Sequence, residues 1–239
     1  MIETITILDN TISLYYSFWF LGMVANIVAA LLFSKEYGIS HSKAIIYISL
    51  VSCIGVLLMA LTSWVCGGGK MAGMNFVRIV PLAWLYFLSS AYLLKDPYQK
   101  MMDYLTLTSV WFYVIAHIGC IFPGCCHGYP SEWGIYSNTV GYRCFPVQII
   151  EVLINIIINC LLLWMRKQNR FQGMLYPWYL IMFGSTRIVT ELFRDNKKLF
   201  WGLSELSLHA LISVVLGTLV LIILHCRKEK SAYNEKNKL

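Results

Sequence analysis

Residues 44–65 read AIIYISLVSCIGVLLMALTSWV, a run without a single charged side chain. At 1.5 Å per residue, about 20 apolar residues carry a helix across the hydrocarbon of a bilayer. This run is long enough to do so alone. A lone strand is excluded here, because in lipid its N–H and C=O groups stay unpaired, whereas a helix pairs them internally. Outward from it lie six further apolar stretches, at 12–34, 76–94, 103–122, 146–165, 173–193 and 204–225. The expected fold is an all-α, polytopic membrane helix bundle of about seven transmembrane helices. The third stretch is interrupted early, with Arg78 near its start and Pro81 in its first turn or two.

Composition agrees. Of 239 residues, 58% are hydrophobic and 13% charged, and mean hydropathy is +0.64. Soluble domains sit near 45–50% apolar and about 25% charged. A separate soluble domain has no room, so 1–226 is expected to form one integral-membrane domain and 227–239 a basic cytoplasmic tail. The first ten residues, MIETITILDN, carry no Lys or Arg and do not resemble the basic start of a cleaved signal peptide.

The net charge of +7 points to topology and not to nucleic acid, because the basic residues lie in short loops and the tail. One side holds twelve: Lys35, Lys43, Lys95, Lys100, Arg166, Lys167, Arg170, Arg227, Lys228, Lys230, Lys236 and Lys238. The other holds six: Lys70, Arg78, Arg143, Arg194, Lys197 and Lys198. The asymmetry predicts an outside N-terminus and a cytoplasmic C-terminus. The loops Cys66–Phe76, Pro123–Phe145 and Arg194–Gly202 then lie on the extracytoplasmic side. No internal repeat is visible, which disfavours a transporter of inverted halves.

Ionisable residues inside a span cost roughly 2.5–3.5 kcal/mol at mid-membrane. Here Tyr15, His117, Gln148, Glu151, Arg187 and Glu191 all fall within roughly 10 Å of the outer boundary. Local explanations exist for four of them. Arg187 and Glu191 stand at i and i+4 and can pair. Glu151, Asn155 and Asn159 form a stripe that can glue helices. A lone buried His is often only a satisfied interior residue. Convergence of four spans on one layer favours a site, and a cationic Arg with a His at an interface suits a phosphate-bearing headgroup.

The segment Ala116–Gly128, AHIGCIFPGCCHG, packs three Cys, two His and three Gly into thirteen residues. Its C-x4-C-C-H spacing is not the paired C-x2-C of common zinc sites, so no metal is expected. Disulfides are open on an oxidising side. Adjacent Cys125 and Cys126 would close a strained ring, which favours Cys144 as the partner for either. A Cys nucleophile carrying a covalent lipid is a third reading. Tight packing of a Gly-rich turn is the fourth.

These segments together resemble the prolipoprotein diacylglyceryl transferase family. AHIGCIFPGCCHG is similar to its G-R-I-G-N/C signature and a Gly-Cys-Cys variant of it. RCFPVQIIE (Arg143–Glu151) resembles R-H-P-S/T-Q-L-Y-E, with Pro146, Gln148 and Glu151 in register. FGSTRIVTELFR (Phe183–Arg194) resembles Y-G-x-x-R-F-x-x-E-x-x-R, matching Gly184, Arg187, Glu191 and Arg194. Gly202–Ser204 matches the start of the last span, and Tyr15 and Gly22 keep the spacing of Y-x6-G.

The resemblance implies transfer of a diacylglyceryl group from phosphatidylglycerol, or a similar phospholipid, to the thiol of a lipobox cysteine in a prolipoprotein. It implies no cofactor and no nucleic-acid partner. It implies Arg187 on the phosphate, with Glu191 and Glu151 orienting it and Gln148 and Tyr15 adding hydrogen bonds. Arg194, Gly119, Gly124 and Gly128 join the substrate site as motif positions. The chain departs from the pattern where His117 replaces the signature arginine, Cys120 the asparagine and Cys125 the acidic residue of the next loop. GMNF (Gly73–Phe76) fits the start of the usual His-Gly-Gly element, but Val77, Arg78 and Ile79 follow. Arg78 then supplies the missing cation and His117 the missing base, with His127 as runner-up. The alternative class is a diverged, non-catalytic membrane protein that binds a lipid or a partner.

Overall fold

A computed structural model describes residues 4–7, 10–69, 76–194, 196, 198–200 and 202–236. The chain is mostly helical. A ribbon of β1 (Thr4–Ile7) and β2 (Asn10–Ser13) leads into α1 (Leu14–Ser34), followed by α2 (His41–Cys66). Short α3 (Phe76–Ile79), a 3-10 turn (Val80–Leu82) and α4 (Ala83–Leu93) follow, then α5 (Tyr98–Gly119). A hairpin of β3 (Pro130–Ser137) and β4 (Tyr142–Cys144) separates α5 from α6 (Val147–Arg166). After α7 (Leu175–Glu191) come β5 (Lys198–Phe200), β6 (Leu203–Ser204) and α8 (Glu205–Lys236). Gly73–Asn75, Lys70, Lys197 and Lys238, which entered the sequence reading, lie outside the described residues.

Among the described residues, four helices are long and apolar enough to cross a membrane: Leu14–Ser34, His41–Cys66, Val147–Arg166 and Glu205–Arg227. Three small antiparallel ribbons depart from the all-helical expectation. The first forms where β-branched residues recur, in TITI and NTIS. α5 begins at Tyr98, earlier than its apolar run, because Pro97 ends the preceding turn and caps it in extended geometry.

Close helix packing places the site walls. A Cβ on Gly22 would sit 3.0 Å from the Phe112 carbonyl, and one on Gly119 would sit 2.9 Å from Phe18 Cβ. Both positions must therefore stay small for α1 to lie against α5. Gly184 and Gly217 do the same for α7 and α8, where an added Cβ would meet the Ala210 and Pro177 carbonyls at 2.6 Å. Tyr47, Tyr104, Leu105, Leu162, Leu180 and Phe183 fill the buried centre. The Tyr104 hydroxyl donates to the Ala30 carbonyl at 3.0 Å, so its one polar atom is paired.

The third apolar run is broken at Pro81, which has no N–H and cannot continue a helical ladder. Tyr176 of α7 repairs the break. Its hydroxyl donates to the Val80 carbonyl at 2.8 Å and accepts from the Trp84 amide at 3.1 Å. The hydroxyl thus stands between groups four residues apart that a regular helix would join directly. This fixes the orientation of α3, which carries Arg78 and one wall of the cavity described below. Tyr176→Phe leaves both backbone groups without this buried partner, a cost of about 1–3 kcal/mol. Thermal unfolding in detergent is expected to show a melting temperature several degrees lower with the same helical circular dichroism; an unchanged midpoint would show that the hydroxyl does not hold the break.

Candidate functional site

Glu151 sits one turn into α6 and is 1% exposed. A buried carboxylate is tolerated only when it is paired and hydrogen-bonded. Four side chains meet that demand. Arg187 donates through Nη1, Arg194 Nη2 lies at 2.6 Å and Thr190 Oγ1 at 2.5 Å. His117 Nε2 is 2.8 Å from Glu151 Oε2. The donors come from α5, α7 and the turn after α7, so one carboxylate ties three segments together.

A second buried acid, Glu191, stands beside it. Arg187 Nη2 is 3.4 Å and Arg194 Nε 3.8 Å from Glu191 Oε2. Asn196 and Ser204 donate to the other oxygen, the latter at 2.7 Å. Two guanidiniums and two carboxylates thus balance, with His117 at the edge. Among the described residues, Arg187 Nε has no hydrogen-bond partner. The i,i+4 pair of Arg187 and Glu191 is real, but it is one edge of a larger network. Within the stripe below Glu151, Asn155 bonds back to its own helix, donating to the Glu151 carbonyl at 2.7 Å.

His117 and Arg187 open onto a cavity of about 350 Å³. Tyr15, Tyr16 and Trp19 of α1, and Phe112 and Tyr113 of α5, give it aromatic walls, with Met59, Phe76 and Val77 opposite. Cys120, Cys125 and Cys126 complete the polar end. A smaller cavity of about 60 Å³ shares Trp19, Met59, Phe76 and Phe112 and runs on past Asn26 and Val51. The Tyr113 ring stacks on His117 at 5.2 Å and 15°, fixing the imidazole plane.

The loop between α5 and α6 is held by backbone crossings. The Gly128 amide donates to Phe145 O and the Tyr129 amide to Phe193 O, each at 3.0 Å. A Cβ on Gly128 would stand 2.6 Å from Phe193 O and 2.8 Å from Phe145 O. The crossing therefore requires glycine, and it delivers Arg194, the next residue after Phe193, to Glu151. Gly124 has φ +70°, and its carbonyl accepts from Ser137 Oγ at 2.9 Å. Gly119, Gly124 and Gly128, expected among substrate contacts, thus serve close chain packing.

Of the other expected residues, Arg78, Gln148 and His127 lie apart from the Glu151 cluster. Arg78 forms a two-pronged pair with Glu205, Nε to Oε1 at 2.7 Å and Nη2 to Oε2 at 3.1 Å. Gln148 is buried and lines a small crevice with Ile121, Gly124 and His127. His127 Nδ1 donates to the Gly128 carbonyl at 3.1 Å. Tyr15 lies on the main cavity with His117.

None of the eight cysteines is in a disulfide. Cys144, the partner favoured in the disulfide reading, is buried on β4 with its sulfur 3.8 Å from the Tyr142 carbonyl. Instead Cys120 and Cys126 join His117: the ligand atoms of all three lie within 4.8 Å of one another. Spacing alone had set metal binding aside, but the turn after α5 folds back, its Gly124 amide donating to the Cys120 carbonyl at 3.1 Å. Hydrogen bonds from Cys120 and Cys125 hold the Cys126 thiol well below its ordinary range against the effect of burial, and Arg194 and His117 add to it. The role of Thr190 and Ser204 on the two carboxylates was not foreseen; a hydroxyl three residues after Arg187, on the same face, was the only hint.

The model of the prolipoprotein diacylglyceryl transferase family matches residues 4–226. Curated relatives are bacterial. A phosphatidylglycerol–prolipoprotein diacylglyceryl transferase of Clostridium tetani is 25% identical over 138 residues, 54% of this chain and 55% of the relative. Phosphatidylglycerol–prolipoprotein diacylglyceryl transferase 2 of Clostridium perfringens is 26% identical over 126 residues, 50% and 49% of the two chains. The Dehalococcoides mccartyi protein of the same name, without the numeral, is 27% identical over 126 residues, 49% and 48%. The chain spans about half the length of the curated relatives it matches.

The network makes a measurable demand. Glu151→Ala leaves two buried guanidiniums short of a partner and is expected to cost about 3–5 kcal/mol. In a double-mutant cycle with Arg194→Leu, a coupling of about 0.5–3 kcal/mol is expected by thermal or denaturant unfolding in detergent. Additive effects of the two changes would separate Arg194 from Glu151.

Proposed function

The chain belongs to the prolipoprotein diacylglyceryl transferase family, and on that premise we propose that it moves a diacylglyceryl group from phosphatidylglycerol, or a similar phospholipid, to the thiol of a lipobox cysteine. The observation that carries this is the cavity itself. Its aromatic walls end on Arg187 and on a His117 held by a buried carboxylate. An apolar slot with a cationic end suits a phospholipid that enters from the side, its tails along Trp19 and Phe112 and its phosphate at Arg187.

The chemistry follows from these placements. The acceptor thiol must become a thiolate to attack. Glu151 accepts the Nε2 proton of His117, which leaves Nδ1 as the basic nitrogen. The base is thus oriented by a third group, as in other activated-nucleophile sites. The thiolate sulfur bonds to the glyceryl carbon as that carbon's bond to the phosphate oxygen breaks. Glycerol phosphate leaves with the electron pair, and Arg187 offers charge-assisted donors to it. Glu191 and Arg194 hold Arg187 in place, and the Tyr15 hydroxyl lies within the same cavity for the headgroup. Arg78, paired with Glu205, holds the α3 wall, and Gln148, Gly119, Gly124 and Gly128 shape the loop beside the site.

We place the site on the extracytoplasmic face of a plasma-membrane bundle of about seven spans, with residues 1–226 as one domain and a basic tail inside. The support is the Lys and Arg bias, the four helices of spanning length, and the further helices α4, α5 and α7 packed between them.

The test uses purified protein, labelled phosphatidylglycerol and a lipobox peptide. Wild type is expected to form a thioether product. Arg187→Ala is expected to lower the rate by at least about 100-fold, the scale of losing one charge-stabilising donor. Transfer that survives Arg187→Ala unslowed sinks the assignment of the phosphate site. Absence of product with several acceptor peptides moves the protein to the lipid-binding, non-catalytic class.

A further inference from the structure

Three metal-binding side chains converge where the cavity meets the loop. A ring nitrogen of His117 and the sulfurs of Cys120 and Cys126 lie within 4.8 Å of one another. Donors about 2.0–2.3 Å from a tetrahedral ion sit roughly 3.5 Å apart, so small side-chain rotations close this set around one. None of the three cysteine sulfurs in the loop is committed to a disulfide.

The surroundings match a zinc site beyond its first ligands. Metal-bound histidines usually donate their other N–H to a carboxylate, which fixes tautomer and orientation. His117 does so through Nε2 to Glu151 at 2.8 Å, leaving Nδ1 to ligate, and Tyr113 stacks on its ring. Cys120 closes α5, and the turn that carries Cys126 is pinned by Gly124 and Ser137. All three residues line the main cavity. Imidazole with thiolates selects zinc among common ions, and three protein ligands with an open fourth position mark catalytic zinc and not structural zinc.

We propose that His117, Cys120 and Cys126 bind a zinc ion, and that the acceptor's cysteine thiol takes the fourth position. The second half rests on the transferase reading above; the first does not. A thiol bound to zinc is deprotonated outright, so coordination supplies the thiolate and His117 acts as ligand. The thiol proton passes to solvent. The sulfur–carbon bond forms as the carbon–oxygen bond to phosphate breaks, glycerol phosphate carries away the electron pair, and nothing is oxidised or reduced. Cys125 stays outside the set, exposed at the rim.

The test uses the full chain in detergent. Zinc content by mass spectrometry is expected to reach one ion per chain, and cobalt(II) is expected to give a sulfur-to-cobalt charge-transfer band. Cys120→Ser, Cys126→Ser and His117→Ala are each expected to weaken cobalt binding at least about tenfold, and Cys125→Ser, which removes no ligand, to weaken it by clearly less than that. A lipobox peptide is expected to raise the band by about half, the step from two thiolates to three, whereas its serine counterpart leaves it unaltered. Because ligand variants can fail to fold, wild type alone is also probed: zinc is expected to protect Cys120 and Cys126, but not Cys125, from maleimide. No stoichiometric zinc and no cobalt band, or undiminished cobalt binding by Cys126→Ser, overturns the ion site. Transfer at the full rate by metal-stripped protein overturns the proposed role and leaves the transferase reading with His117 as base. Stoichiometric zinc in a protein inactive on every lipobox peptide supports the ion site and overturns the transferase reading.

Discussion

The Glu151 carboxylate is the constraint on which the rest of this molecule depends. An isolated charge at its depth would be expelled or neutralised. It stays because His117, Arg187, Thr190 and Arg194 all reach it. Each of those groups is in turn buried and needs the carboxylate. Removing any one leaves an uncompensated partner, so the cluster stands or falls together. The same contacts fix the rotation of α5, α6 and α7 about their axes, because the side chains meet only in one rotational setting of the three helices.

That setting also divides the cavity. Apolar and aromatic side chains of α1, α2, α3 and α5 form its walls, and every charged or metal-binding lining residue gathers at the end where α5 gives way to the loop. The division follows from where backbone polar groups become available. Within the helices the ladder consumes them, and side chains facing lipid or one another are best apolar. Beyond Gly119 the backbone turns, and glycine crossings at Gly124 and Gly128 let three chain segments touch. Tyr176, standing in the gap left by Pro81, solves the same accounting problem inside the bundle.

Much was legible beforehand. The helices fall where apolar runs exceed or approach the reach of a bilayer, because in that setting length and hydropathy alone decide between helix and nothing. The depth of Tyr15, His117, Gln148, Glu151, Arg187 and Glu191 followed from helix rise, and four of these six meet in one network. Partner choice did not follow. Arg78 pairs with Glu205, 127 positions away, and not with the main cluster. Cys144, one of several open partners for the loop cysteines, lines a crevice with Ile121, Gly124 and His127 but forms no disulfide. The ribbons at the helix ends were passed over because short alternating stretches carry a weaker signal than long apolar ones.

The sequence by itself determined the membrane character, the helix positions, the family signature and the set of polar residues at one level. Each of these is a local property, set by composition over one turn or one span. The tertiary structure alone decided which of those residues touch. It joined His117 to Glu151 and brought Cys120 and Cys126 to the same imidazole, although their spacing had argued against a shared ligand. The reason is that contact depends on helix rotation and on the path of a loop, and both are settled by packing between segments far apart in the chain.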